Sequence, residues 1–241
     1  MTSSLIRERL ERLSVALDRQ LAPKRIRMFA ICVLTFWSIV HVGLAATGDL
    51  PYNKFNMPIL ADLTNRFIGA DILLNGDADR LYDLDRQTQS QRELFSQMPS
   101  DRHSLFVSPP FVAYIYAPLA LLPYTVSAVI WLLVSVALVF LSLRLLWPIV
   151  PDVHRHGISL IMLLLFASQP MIELLGSGQD AALSLFVLAA GLRLLLSGRE
   201  GLAGAVLGLG LFKPQIFVFM PIFFLVTRRW RALAGWLAVA A

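Results

Sequence analysis

At 241 residues, 57% hydrophobic and only 15% charged, the chain carries too little charge to cover the surface of a soluble domain. Its net charge of +5 is gathered at the ends of apolar runs, and no basic cluster is interleaved with aromatics, which sets nucleic acid aside as a partner. The apolar residues come in long runs, so the fold class expected is an all-α integral membrane protein, a polytopic helix bundle in contact with membrane lipids.

Residues 3–21 put Ile6, Leu10, Leu13, Leu17 and Leu21 at helical spacing with arginines over much of the rest, the pattern of an amphipathic helix on a membrane surface. With Lys24, Arg25 and Arg27 they make a cationic flank, so residues 1–25 are expected to be cytoplasmic and 26–241 to form the membrane domain. No small-x-small cleavage pattern follows a short apolar core, so no cleavable signal peptide is expected. The first span reads as about 26–46. It contains the single cysteine, Cys32, which has no intrachain partner, and His41, read as a packed polar residue rather than a ligand.

Residues 47–104 hold nine acidic residues against six basic ones, and the extracytoplasmic loop is expected to run over about 47–124. Within it, 61–75 reads as a helix with Leu63, Phe67, Ala70, Leu73 and Leu74 on one face, stopped by Asn75-Gly76. A second helix is expected from Asp85 to Gln97, ended by Pro99, both helices lying at the interface. The run 106–124 carries Pro109, Pro110, Pro118 and Pro123, which argues against a clean span. If it does not cross, the basic ends near Arg144, Arg155, Arg193 and Arg228 all fall on the cytoplasmic side, as the positive-inside rule prefers.

Spans are expected over 125–147, from about Ile158 to Gln169-Pro170, and over 181–197, followed by a hairpin of 201–212 and 216–227 turned at Lys213-Pro214. Glu173 and Gly176 to Asp180 then lie outside. The alanines and glycines of 201–210 suit close helix packing. The chain stops in WLAVAA, inside what reads as a new helix, and so reads as a fragment truncated at its C-terminus.

No metal constellation, phosphate loop, dinucleotide fingerprint or serine-nucleophile elbow is present, so no cofactor is expected, and chemistry rests on carboxylates, amides and one unusual lysine. Candidate residues each carry a bland alternative. Asp62 reads as a general base or a helix N-cap, and Asp49, nearest the end of the first span, as its rival or a solvated turn acid. Lys213, costly inside a membrane, holds a phosphate or snorkels to an interface. Arg66 pairs with Asp62, with a phosphate, or in a surface ion pair. Gln179 and Asp180 line an acceptor side or start a helix, and Tyr82-Asp83 closes the turn between the two loop helices.

From Asp62 through Phe67, Ala70, Gly76 and Leu81-Tyr82-Asp83, then Ser108-Pro109-Pro110-Phe111, Ala117-Pro118 to Pro123-Tyr124 and Trp131, the chain resembles glycosyltransferase family 87. Gly178-Gln179-Asp180, Ala203-Gly204, Lys213-Pro214-Gln215 and Arg228-Arg229-Trp230-Arg231 continue the likeness, which covers roughly 60–235. The resemblance implies a GT-C architecture in a bacterial cytoplasmic (inner) membrane, with the active site facing outside or into the periplasm. It also implies a polyprenyl-phosphate sugar donor, commonly mannose, used with inversion towards a lipid or glycan acceptor. In such an enzyme an acid of the first outer loop is the general base, and Asp62 stands where that acid is expected. The competing reading is a non-catalytic polytopic membrane protein: a transport or scaffold subunit, or an inactive truncated glycosyltransferase.

Overall fold

The computed structural model describes residues 23–151 and 157–240. The expected helix over 3–21 and the His154–His156 stretch lie outside the described residues. Those described fold as helices, with long non-helical stretches over 47–60 and 95–110 and one isolated backbone bridge between Tyr52 and Pro58.

Among the described residues, two helices are long and apolar enough to cross a membrane, or three if the bent pair Ile158–Phe166 and Gln169–Ser177 counts as one span. The first, α1 (Pro23–Ala46), has Ala30 as its one buried residue, so nearly its whole surface is left for lipid. After it come α2 (Ala61–Leu74), α3 (Leu84–Leu94) and α4 (Phe111–Ala120). The second long helix is α5 (Tyr124–Leu146), which runs on as a tighter turn through Ile149. The span expected from about Ile158 to Gln169-Pro170 ends slightly early, and a second helix follows it at once. The two are α6 (Ile158–Phe166) and α7 (Gln169–Ser177), bent by 65° at a break just before Pro170, and Glu173 and Gly176, expected beyond the span, sit in α7. The proline explains the break: it cannot continue a hydrogen-bonded ladder but is well placed in a helix's first turn.

The remaining elements are α8 (Ala181–Leu196), α9 (Glu200–Gly208), the short α10 (Pro214–Phe217), α11 (Met220–Val226) and α12 (Trp230–Ala240). The expected return helix over 216–227 is thus two pieces, the second with Pro221 in its first turn. The glycines do let helices approach closely. A methyl group built on Gly204 of α9 would collide with the Ala232 carbonyl of α12, and one on Gly235 with the Gly201 carbonyl.

The core of the polar loop is α2. Leu63, Phe67 and Ala70 are buried as the spacing predicts, but Ile68 and Ile72 are equally buried while Leu74 is 45% exposed. The helix is therefore surrounded rather than one-sided. Phe67 meets Tyr124 edge-on at 5.1 Å, Tyr124 meets Phe95 at 4.9 Å, and the Phe106 ring lies on Gly69. Next to it, α3 ends at Leu94, three residues sooner than Pro99 suggests. Its buried face is polar, and it tolerates burial through amides: Gln87 Nε2 donates to the Leu81 and Phe106 carbonyls while its Oε1 accepts from Phe106 N–H at 2.8 Å. Gln91 does the same for Arg102 and Ser104. Each amide stands in for a missing β-ladder partner, which is how an extended segment passes through a helical core with its backbone satisfied.

Candidate active site

Asp62 owes its placement to the turn in front of α2. Leu60, not Asp62, is the N-cap residue, and it sits in the left-handed region at φ 52° with no side-chain cap. A leucine there costs on the order of 1 kcal/mol or more and persists only where neighbours impose it. The neighbour is Tyr124, whose hydroxyl donates to the Ile59 carbonyl at 2.7 Å and the Leu60 carbonyl at 3.0 Å. The N-cap alternative for Asp62 is therefore not what forms. Its carboxylate is exposed in the first turn of α2, where the helix dipole favours negative charge, and it makes no hydrogen bond or ion pair with a described residue.

A second turn packs on the first. Gly178 ends α7 at φ 77°, its carbonyl accepts from Trp131 Nε1 at 2.9 Å, and a Cβ there would come within 2.8 Å of Leu60 Cβ. Only glycine combines that backbone angle with that approach. The contact brings Gln179 and Asp180 beside the start of α2.

Asp180 is 7% exposed and bridges two cations. Arg66 Nη2 donates to its Oδ2 at 2.7 Å and Lys213 Nζ to its Oδ1 at 2.9 Å. Arg66 also donates through Nη1 to Ser108 Oγ. Burial alone would raise the Asp180 carboxyl; the hydrogen bond from Lys213 and the charge of Arg66 outweigh it and hold the group below its ordinary value. The three side chains therefore carry a net charge of about +1 in a largely water-excluded place.

Arg66 lies one turn beyond Asp62 on the same helix, yet its partner is Asp180, a buried pair rather than a surface one. Lys213, at the break between α9 and α10, reaches inward to the same acid instead of snorkelling. Asp180 caps no helix with its side chain. These residues, with Asn65, Tyr116 and Gln179, line a cavity of about 250 Å³ that Asp62 also lines. Asp62 and Gln179 line a second cavity of about 530 Å³ as well, walled by α1 and α7. Asp49 lies at the turn after α1 and lines neither. Of the predicted residues, Asp62, Arg66, Gln179, Asp180 and Lys213 thus meet, and Asp49 stays apart.

Sequence reasoning missed Asn65 and Tyr116. Nothing in FVAYIYAPLA separates Tyr116, 2% exposed, from Tyr114, 62% exposed; only the packing does. Asn65 had a signal, one residue before Arg66 on a helix already suspected. Its Oδ1 is buried without a hydrogen-bond partner among the described residues. Among the described residues no group of His, Cys, Asp or Glu is placed to hold a metal ion.

Chemically, the arrangement offers one free carboxylate able to accept a proton and, across a small cavity, two cations able to hold an anion, in an all-helical membrane protein. A family model described as glycosyltransferase family 87 matches residues 106–241, more than half of the chain. The chain belongs to glycosyltransferase family 87. The match takes in Ser108, Tyr116, Gln179, Asp180 and Lys213, whereas Asp62, Asn65 and Arg66 lie ahead of it. No curated protein and no solved structure matched the chain.

Proposed function

We propose that this glycosyltransferase moves a hexosyl group, mannose above others, from a polyprenyl phosphate to a hydroxyl of a lipid or glycan acceptor, with inversion and within a GT-C architecture. An acceptor oxygen attacks the anomeric carbon as Asp62 takes its proton. The bond from that carbon to the phosphate oxygen breaks, and its electron pair leaves with the phosphate. The donor is a phosphodiester of one negative charge and the leaving polyprenyl phosphate carries nearly two, so about one charge develops during the step. Arg66 and Lys213, with the Ser108 hydroxyl and the Asn65 amide nearby, are the groups to receive it. A phosphate leaving group is stable as an anion, so no general acid is required.

The observation that carries this reading is that the unpaired Asp62 carboxylate and the Arg66–Lys213 cation pair face one cavity. A site for a lipid-borne donor must lie at a membrane boundary, and the two long apolar helices border this one: α1 contributes to the larger cavity, and Tyr124 at the head of α5 holds the turn before Asp62. In our reading residues 1–25 are cytoplasmic, the loop 47–124 is extracytoplasmic, and the host is a bacterial inner membrane. Substituting Asp62→Asn should lower sugar transfer by about 10²–10⁴-fold with normal membrane insertion, the range for losing a general base. Unchanged transfer would remove Asp62 from the role. A topology reporter at residue 155 should read cytoplasmic; an outward reading overturns the orientation.

A further inference from the structure

We propose that the two turns at residues 197–200 and 227–231 form a binding site, centred on Arg228, for the phosphate headgroups of anionic membrane lipids. These turns lie at the end of α8 away from the candidate active site. Asp180 precedes α8, whereas Arg193 stands in its last turn, on the order of 20 Å further along the axis. The two turns are built alike. Each ends a helix, α8 or α11, and each leads into one member of the pair α9 and α12. In the first, Gly198 takes φ 74° and the Arg199 N–H donates back to the Leu194 carbonyl at 3.0 Å. In the second, Arg228 takes φ 55° and the Arg229 N–H donates back to the Phe224 carbonyl at 2.8 Å. Both are Schellman motifs, which favour glycine at the left-handed residue. The second has an arginine there instead. That choice strains the backbone, and it points to a use for the side chain outside folding.

The surroundings of Arg228 identify that use. The turns lie side by side, joined by the ion pair of Arg229 with Glu200 at 2.9 Å and by the close approach of Gly235 to the Gly201 carbonyl. Residues 193–200 and 227–231 together hold five arginines and one glutamate, and the glutamate is occupied by Arg229. Arg193, Arg199, Arg228 and Arg231 are exposed, and their side chains make no hydrogen bond or ion pair with a described residue. Such a group of guanidiniums suits an anion, and a guanidinium can meet two oxygens of one phosphate at once. The rim of the site is apolar. Leu196, Val226 and Trp230 are all exposed, Trp230 by 60%. An indole beside basic side chains at the ends of apolar helices is the usual arrangement at a lipid headgroup. A nucleic acid or an acidic protein would leave this rim in water. An anionic lipid covers it with an acyl chain while its phosphate meets the arginines.

The test places the purified full-length protein in liposomes of phosphatidylcholine with a minority of phosphatidylglycerol. The protein is then extracted into mild detergent, and the lipids that stay bound are counted by native mass spectrometry. Phosphatidylglycerol should be enriched over its share of the bilayer, and less so when the liposomes are prepared at high salt. Arg228→Gly should lower that enrichment about fivefold, the ordinary contribution of one basic side chain at an anionic surface. In lipid-free detergent the same variant should melt no lower than the unsubstituted protein, because glycine relieves the backbone. Adding Arg231→Gln should lower the enrichment further. Lys24→Gln with Arg27→Gln, which removes the same charge from α1, should change it by less than about twofold. The proposal is overturned by no enrichment in the unsubstituted protein, by an equal loss in the α1 pair, or by a lowered melting temperature in Arg228→Gly. Displacement of the bound lipid by inorganic phosphate as readily as by added phosphatidylglycerol would overturn it too. Sugar transfer is read in no arm, so none of these outcomes bears on the role given to Asp62.

Discussion

Two aspartates face the same cavity of about 250 Å³ from opposite environments. Asp62 is exposed at the first turn of a helix and makes no ion pair with a described residue. Asp180 is 7% exposed and clamped between Arg66 and Lys213. A clamped carboxylate is a poor proton acceptor, because protonating it would leave two partly buried cations uncompensated; an unclamped one is available. Two acids of identical chemistry are thus sorted by environment alone. Asp180 should accordingly answer to measurements of folding and Asp62 to measurements of turnover.

The sharpest way to break that contrast is Asp180→Ala. It should cost about 3 kcal/mol of stability, the lower end for breaking a buried pair since Lys213 is 29% exposed, whereas Asp62→Asn should stay within about 1 kcal/mol; denaturation in detergent compares them. Equal losses would erase the distinction. Gly204→Val, which does not line the cavity, should cost about 2 kcal/mol by forcing α9 from α12, and should leave the ratio of acceptor to donor half-saturation unchanged. Tyr124→Phe removes the hydroxyl that holds the turn before Asp62. A stability loss of about 1 kcal/mol is expected, with a fall in transfer rate larger than that loss explains. The smallest effect concerns Asp83, exposed at the start of α3. Its carboxyl lies below the ordinary value of 3.8 through the Arg86 backbone N–H first and the Arg80 side chain second. A depressed folded pKa means stabilisation that is complete above the unfolded value and lost as pH falls through the folded one. Asp83→Asn should therefore flatten the acid limb of the stability profile by lowering stability slightly at neutral pH, while leaving it unchanged at pH values below the folded pKa, where Asp83 is already protonated.

The sequence made some of this readable and hid the rest for physical reasons. Long apolar runs announced α1 and α5, and 3.6-residue periodicity announced α2, because hydropathy and helix geometry act locally. The break between α6 and α7 was partly legible, since Pro170 was visible but its consequence depends on what packs around it. The partner of Arg66 was not legible: Asp62 and Asp180 are both acids, one four residues away and one more than a hundred, and only the stacking of the Gly178 turn on Leu60 decides between them. The buried face of α3 was hidden for a related reason. Glutamines read as solvent-facing until a backbone in need of partners lies across them.

The hydroxyl of Tyr124 couples two otherwise separate parts of the chain. It belongs to the first residue of a membrane-length helix, yet it grips the loop carbonyls just ahead of Asp62. A span that tilts to match a thinner or thicker bilayer would carry that grip with it. The aim of the proposed base thereby becomes a function of the host lipid, and turnover in vesicles of short against long acyl chains reads that dependence, which Tyr124→Phe should abolish.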